Sequence, residues 1–468
     1  MKIRVCIVAE SRYIAKARYA LRMLLLPLGI EPVWVDITGL RDGDLYYGPQ
    51  ELGLCNGVLL LPFSRQAEAY YGARQPYVAR DACMRTWEGE QWPVLFPGDS
   101  PEQDDLIASA FFWLSGWQEH VIPYRDVYAR FSYHDSLHQS LKIATRPVVD
   151  AYRERLSAIL QAGGVPIQPR TWCGEPWAMC PTIDVDYLVK WRKGMIYRET
   201  IQYLLCNFRS VSAGSRIKRF GQFLADFLRP GDIYQKAMLH IFQTIWQHGT
   251  GTFFIKAAAH GPEDVHYSLR HPFFLQFVEQ LRTANFEIGL HPSFHAHTHP
   301  EYMATERDAI ASLAGYQPVS IRQHFLRYEV PITPRLQHRM GFQIDSTLGF
   351  AEHEGFRNGT CMPFLRFDTL ANTMSTVWEM PLVVMESTLF HRRKLSLAEA
   401  NHQTQNLLTQ CRRFGGVAVM LWHTVLWDEM DHPGWGAHFT KTMEKAADLH
   451  AQVASLRTAL SGWLGRAL

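Results

Sequence analysis

Pro181-Thr182-Ile183-Asp184-Val185-Asp186-Tyr187 sets two carboxylates one residue apart at the end of a short apolar run. Side chains alternate along a strand, so Asp184 and Asp186 project to the same side. One acid there can bind a metal while the other acts as a base. About a hundred residues later, His291-Pro292-Ser293-Phe294-His295 places two potential metal ligands four residues apart. An acid pair plus a histidine pair is the minimum set for a mononuclear metal hydrolase.

Outward from this stretch, strand and helix patterns alternate. Gly251–Lys256, Phe286–Leu290, Val319–Ile321, Leu382–Met385 and Gly416–Trp422 are apolar runs of strand length. Pro272–Ala284, Ala304–Ala314 and part of Leu397–Phe414 have helical spacing. Repeated βα units imply a parallel sheet or barrel, in which active residues collect at the carboxyl ends of strands. Asp184, Asp186, His291, Arg322 and His423 all stand where an apolar run ends.

Upstream, residues 1–165 read as a smaller α/β unit. Strands are expected at Ile3–Val8, Pro32–Ile37 and Gly57–Pro62. Helices are expected at Ile14–Leu26, Asp104–Trp117 and 147–162, the first stopped by Pro27. This unit has no acid cluster, phosphate loop or nucleophile motif and reads as an accessory domain. A Pro-, Gly- and Trp-rich linker, Pro166–Pro181, leads into the second domain, 175–468. That domain carries an insertion at 188–230 with nine basic residues (Lys190, Arg192, Lys193, Arg198, Arg209, Arg216, Lys218, Arg219 and Arg229) against Glu199 and Asp226. Within it, Ile217–Leu228 has the apolar spacing of an amphipathic helix, suited either to packing or to an anionic membrane face.

The 468 residues, 47% hydrophobic and 20% charged, fit a globular protein with a large core. A net charge of +2 carries no nucleic-acid signature. The eight cysteines (Cys6, Cys55, Cys83, Cys173, Cys180, Cys206, Cys361 and Cys411) form no Cys-x-x-Cys pair and suit a reducing compartment. The first residues read as a strand rather than a secretory signal, and no apolar run reaches bilayer length. A cytoplasmic protein, peripheral at the inner membrane if the basic insertion docks there, is the expectation.

Chemically, Asp186, His291 and His295 can hold Zn²⁺ with a position left for water, and Asp184 beside them can take the water's proton. Arg322 can keep that base ionised. His324 is a further possible ligand. His423, ending Val417–His423, is the best-placed acid for a leaving amine. Arg357, in Gly355–Thr360, can meet a polar substrate group, and Glu379, in Trp378-Glu379-Met380-Pro381, can orient a neighbour.

These residues resemble the polysaccharide deacetylase (NodB-like, carbohydrate esterase 4) superfamily over about 175–430. Thr182–Asp186 resembles its first motif, which implies base for Asp184 and metal ligand for Asp186. His291–His295 resembles the second motif. Arg322 stands where the third-motif arginine supports the base, and Leu421-Trp422-His423 resembles the motif whose histidine is the general acid. The resemblance implies a distorted (β/α)7 barrel and metal-dependent removal of an acyl group from an amino sugar. The phrases around His291, Arg322, Arg357 and His423 resemble a surface-polysaccharide branch with an extra N-terminal domain. Its substrate would be a nucleotide- or lipid-linked precursor of O-antigen or capsule. The third motif departs from the pattern, with Gln323-His324-Phe325 in place of Pro and an aromatic, so that either His295 or His324 can complete the metal site. Two other readings remain: an Asp-x-Asp glycosyltransferase using a nucleotide sugar, and a catalytically silent sugar-binding protein.

Overall fold

The computed structural model describes residues 1–49, 57–206 and 212–468, without the side chains of 204–206. Arg209 and Cys55 lie outside the described residues, and the side chain of Cys206 likewise. The six described cysteines are free.

The N-terminal part builds a four-stranded parallel sheet in the order β2-β1-β3-β4: β1 (Lys2–Ile7), β2 (Glu31–Val35), β3 (Leu45–Tyr47) and β4 (Leu59–Leu61). Ser11–Leu25 is the first helix, and Pro27 follows in a tight turn. The hairpin of β5 (Cys83–Trp87) and β6 (Glu90–Val94) was not anticipated, because its half-exposed strands show no apolar run. The expected helix over Asp104–Trp117 is two, Leu106–Ser115 and Trp117–Val121. They break at Gly116, whose φ of 65° suits glycine.

The larger sheet follows the chain almost in order: β7 (Trp177–Val185), β8 (Thr252–Ile255), β9 (Glu287–Leu290), β10 (Ser320–Ile321) and β11 (Ile344–Asp345) lie side by side and parallel. The antiparallel β12 (Phe364–Asp368) caps β13 (Thr373–Glu379), which pairs with β11. After only Met380 and Pro381 the chain continues as β14 (Leu382–Met385), parallel to β15 (Val417–His423), and β15 returns to β7. The segment β13–β14 thus bridges the two ends of the sheet as one interrupted stave. Counting it once gives seven parallel staves, a curled, incomplete (β/α)7 barrel preceded by the smaller N-terminal α/β unit.

All nine residues of β7 are buried, as expected of a central strand. Pro181 is tolerated there because β16 (Ala451–Val453) pairs only as far as Met179, while β8 begins at Thr182. The missing N–H of Pro181 therefore interrupts no ladder on that side. One hydrophobic cluster runs from Ile3 through the barrel to Trp463. Tyr19 donates to the Leu365 carbonyl at 2.8 Å, and Asp150 accepts from Thr360 and the Cys361 N–H at 2.8 and 2.7 Å. No helix among the described residues is long and apolar enough to cross a membrane.

Candidate active site

Strand ends supply the site. Asp184 and Asp186 stand at the end of β7, Lys256 after β8, His291 after β9, Arg322 and His324 after β10, Glu386 after β14, and His423 at the end of β15. Residues of adjacent parallel strands in register share a level, so His423 pairs directly with Asp184. A cleft of about 390 Å³ opens above them, lined by Asp184, Asp186, His291, His324 and His423, with Phe325 and Leu426 among its apolar walls.

Asp184 is buried, and Arg322 holds it: Nη1 of Arg322 lies 3.1 Å from Asp184 Oδ1 and 2.6 Å from Thr182 Oγ1. The other guanidinium nitrogens donate to the carbonyl and hydroxyl of Ser346 at 2.8 and 2.9 Å. The plane rests over the Phe254 ring, 4.6 Å from its centroid. Every face of this arginine is thus fixed, and one charge-assisted bond orients the carboxylate.

Asp186 is the hub. Its Oδ1 lies 3.5 Å from His291 Nε2, 3.4 Å from His324 Nε2 and 3.4 Å from Lys256 Nζ, and makes no regular hydrogen bond. Burial works to raise this carboxyl's pKa, but His324, His291 and Lys256 outweigh it and hold it well below the usual range.

Both histidines have their tautomers set from behind. His291 Nδ1 lies 2.7 Å from the Arg322 carbonyl, which can only accept, so this nitrogen carries the proton. His324 Nδ1 donates to Asp264 at 2.9 Å, and that carboxylate also accepts the Phe294 N–H. In each ring the Nε2 lone pair is left facing Asp186. The ligand atoms of Asp186, His291 and His324 lie within 4.8 Å of one another. Ligands about 2.0–2.1 Å from a tetrahedral ion stand about 3.3 Å apart, which the 3.4 and 3.5 Å spacings match. Two imidazoles buttressed by hydrogen-bond acceptors and an unpaired carboxylate oxygen are a donor set that fits a divalent metal.

His295 stays out of this group. It is half-exposed, with its ring near Gly261 and beside His299, on the turn that follows His291. The four-residue spacing would bring two histidines together on a helix, but residues 291–294 carry no helix. His324 occupies the third position. It is aimed by an unusual turn: Phe325 and Leu326 both have positive φ, 60° and 55°. Two consecutive side-chain-bearing residues in the left-handed region store strain that the surroundings must hold. Arg130, from the N-terminal part, donates to the Phe325 carbonyl at 3.0 Å.

On the other side of Asp186, His423 Nε2 lies 3.6 Å from Oδ2. Its Nδ1 is 2.5 Å from Glu386, which also accepts the His423 N–H at 2.8 Å. Burial would depress the imidazole, but Glu386 first, then Asp186 and Asp184, push it up to about 10.

The two expected substrate contacts are elsewhere. Arg357 is buried, with a bidentate pair to Glu119 at 2.8 and 3.0 Å and a bond to the Gly349 carbonyl at 2.8 Å. Glu379 is fully buried and accepts the Leu348 N–H at 2.9 Å. Burial, reinforced by Asp345, raises its carboxyl well above the ordinary range. Neither lines the cleft, and both are bonded to groups of the protein instead. The acid that orients a neighbour is Glu386. Its signal, an acid directly after the apolar run Leu382–Met385, was present in the sequence, as was that of Lys256 after Gly251–Ile255. Asp264 and Arg130 come from stretches with no such signal.

A family model described as a family of unknown function, DUF7033, matches residues 73–164. No curated protein matches the chain. Among solved structures, the chain is similar to a Mycobacterium smegmatis protein assigned as a polysaccharide deacetylase, with 18% identity, TM-score 0.39, and 60% of this chain and 88% of that one covered. A Pseudomonas aeruginosa PAO1 protein assigned in the same way gives 13% identity and TM-score 0.39, covering 62% and 91%. The peptidoglycan deacetylase PdaC from Bacillus subtilis gives 10% identity and TM-score 0.32, covering 63% and 94%.

Proposed function

We propose that this chain is a metal-dependent amide hydrolase of the polysaccharide deacetylase superfamily that removes an acyl group, acetyl or formyl, from an N-acylated amino sugar. The observation that carries the reading is the division of labour around Asp186: two histidine Nε2 atoms on one oxygen, a buttressed carboxylate on one side and a carboxylate-held imidazolium on the other. A divalent ion, most simply Zn²⁺, held by Asp186, His291 and His324 would supply Lewis acidity toward the amide carbonyl and acidify water.

The chain's own residues supply the proton transfers. Asp184, oriented by Arg322, accepts a proton from water as its oxygen adds to the carbonyl carbon. His423, protonated and held by Glu386, returns a proton to the sugar nitrogen as the C–N bond breaks. The products are a carboxylate and a free amine. A nucleotide- or lipid-linked precursor of surface polysaccharide, met on the cytoplasmic side, is the substrate class we infer. The Asp-x-Asp transferase reading needs both acids free for a nucleotide-bound ion, and here Asp184 is committed to Arg322.

The test is release of acetate or formate from N-acylated amino-sugar nucleotides and lipid-linked sugars by the zinc-loaded protein. Acyl release that disappears on chelation supports the reading. Stoichiometric metal binding with no acyl release across the panel overturns it.

A further inference from the structure

The insertion that follows β7 has no part in the chemistry above, yet it is built onto the mouth of the barrel. Arg198 and Arg219 both reach Asp431, at 2.8 and 2.5 Å, and Lys190 pairs with Asp428. These acids belong to the loop after β15, whose earlier residues Val425 and Leu426 line the cleft. The insertion is therefore tied to the rim of the active site by buried or half-buried ion pairs.

Its helix Ala213–Leu228 turns the wrong side outward for a packed helix. Phe223 alone is buried, against Trp191 at 5.1 Å between ring centroids. Ile217 is 68% exposed and Leu228 76%, and Leu224 and Phe227 are exposed as well. At about 100° per residue, positions 217, 220, 224, 227 and 228 fall within an arc of about 100°, a continuous apolar stripe. Tyr197 and Ile201, just upstream, are also exposed. Six of the large exposed hydrophobics in the described chain thus sit within 32 residues, where scattered single ones would be ordinary.

The charge around the stripe is one-sided. Glu199 is consumed inside the insertion by Arg198 and Arg219, and Asp226 pairs with Arg229 at 3.4 Å. Lys193, Lys218 and Lys236 are exposed and have no carboxylate partner among the described residues. The helix with the apolar stripe also carries the exposed Lys218, and Lys193 and Lys236 stand on helices before and after it in the chain. This is the arrangement of a helix lying in a membrane interface, with the apolar side chains among the acyl chains and the ammonium groups at anionic headgroups. A protein partner burying the same stripe would have to leave these cations either paired by its own acids or in water.

We propose that helix Ala213–Leu228 docks the barrel mouth on an anionic lipid surface, so that the acylated sugar is presented on a lipid carrier. The docking itself does not depend on the hydrolase reading; only the identity of the substrate as lipid-linked rests on it.

Co-sedimentation with vesicles of phosphatidylcholine, with and without phosphatidylglycerol, tests this. The protein is expected to bind the anionic vesicles at least tenfold more tightly than the neutral ones, and to be released by salt. Leu228→Glu and Phe227→Glu should each abolish binding, and Lys218→Glu should weaken it more than about fivefold, since each basic group near such a surface contributes about that factor. Leu370→Glu, at an exposed apolar position elsewhere, should bind as wild type. Asp184→Asn and metal-free protein should also bind, which separates docking from catalysis. No preference for anionic vesicles, or undiminished binding by Leu228→Glu, overturns the proposal. So does a solution dimer that Leu228→Glu dissociates, which would make a second copy the occupant.

Discussion

Asp184 and Asp186 share a strand face, and what separates their roles is who touches them. Arg322 meets Asp184 along one oxygen, while the two histidines meet Asp186. Asp184→Asn keeps the hydrogen bond to Arg322 but cannot accept a proton, so turnover should fall by about 10²–10⁴ with metal stoichiometry retained. Metal analysis beside an acyl-release assay checks this; full activity would remove Asp184 from the base role. Glu386→Gln should keep the His423 ring in place but remove the charge that favours its protonated form. A rate loss of about 10² or more is expected, again with metal retained, because Glu386 touches none of the triad. Loss of metal in this variant would instead make Glu386 part of the metal shell. Much of this was legible: acids and histidines at the ends of apolar runs predicted which residues converge. The spacing of His291 and His295 misled, because four residues apart means one face only on a helix, and the chain there is a turn. Arg357 looked available because flanking glycines suggest an open loop, whereas its carboxylate partner, Glu119, lies 238 residues away.

At the scale of the element, the insertion is held by charge rather than by a broad apolar contact. Burial alone would raise Asp431, but Arg198 and Arg219 hold its carboxyl down at about 2. A carboxyl depressed in the folded state contributes stability above its unfolded pKa of about 3.9, and that contribution is lost as pH falls through the folded value. The shift corresponds to about 2.5 kcal/mol. Asp431→Asn should therefore lower the urea unfolding free energy by about that amount at pH 6. The gap to wild type should narrow as pH falls from about 4 toward 2. A gap that persists unchanged at pH 2 would mean that packing, not this charge, is what Asp431 supplies. Limited trypsinolysis should cut within 192–229 faster in the variant, since two arginines lose a common anchor. None of these ties could be read from sequence. A run of nine basic residues against two acids describes a net charge, while the acids that dock it sit more than 200 positions downstream.

For the whole molecule, the N-terminal part touches the site through Arg130 and the barrel wall through Glu119. Arg130 props the strained turn that aims His324, and Glu119 neutralises Arg357 inside the barrel wall. The alternating βα pattern and the strand-end residues allowed the barrel to be anticipated. Val319–Ile321 and Leu382–Met385 marked β10 and β14, whereas the two-residue β11 and the antiparallel pair of β12 and β13 were not anticipated, being too short or too mixed in character to carry a period. The dependence of barrel on N-terminal part can be measured at one residue pair. Arg357 and Glu119 are each about 3% exposed, so removing one leaves the other's charge buried and uncompensated. Such a loss costs about 3–5 kcal/mol, whereas replacing both members by neutral groups of similar size costs far less. Arg357→Met should thus lower the urea midpoint sharply, and adding Glu119→Gln should restore a large part of it. In both proteins, KM for the acylated substrate should stay unchanged at temperatures where they are folded, because neither side chain lines the cleft. A raised KM with wild-type stability in Arg357→Met would return the arginine to substrate binding and would mean that the N-terminal contact is dispensable to the barrel.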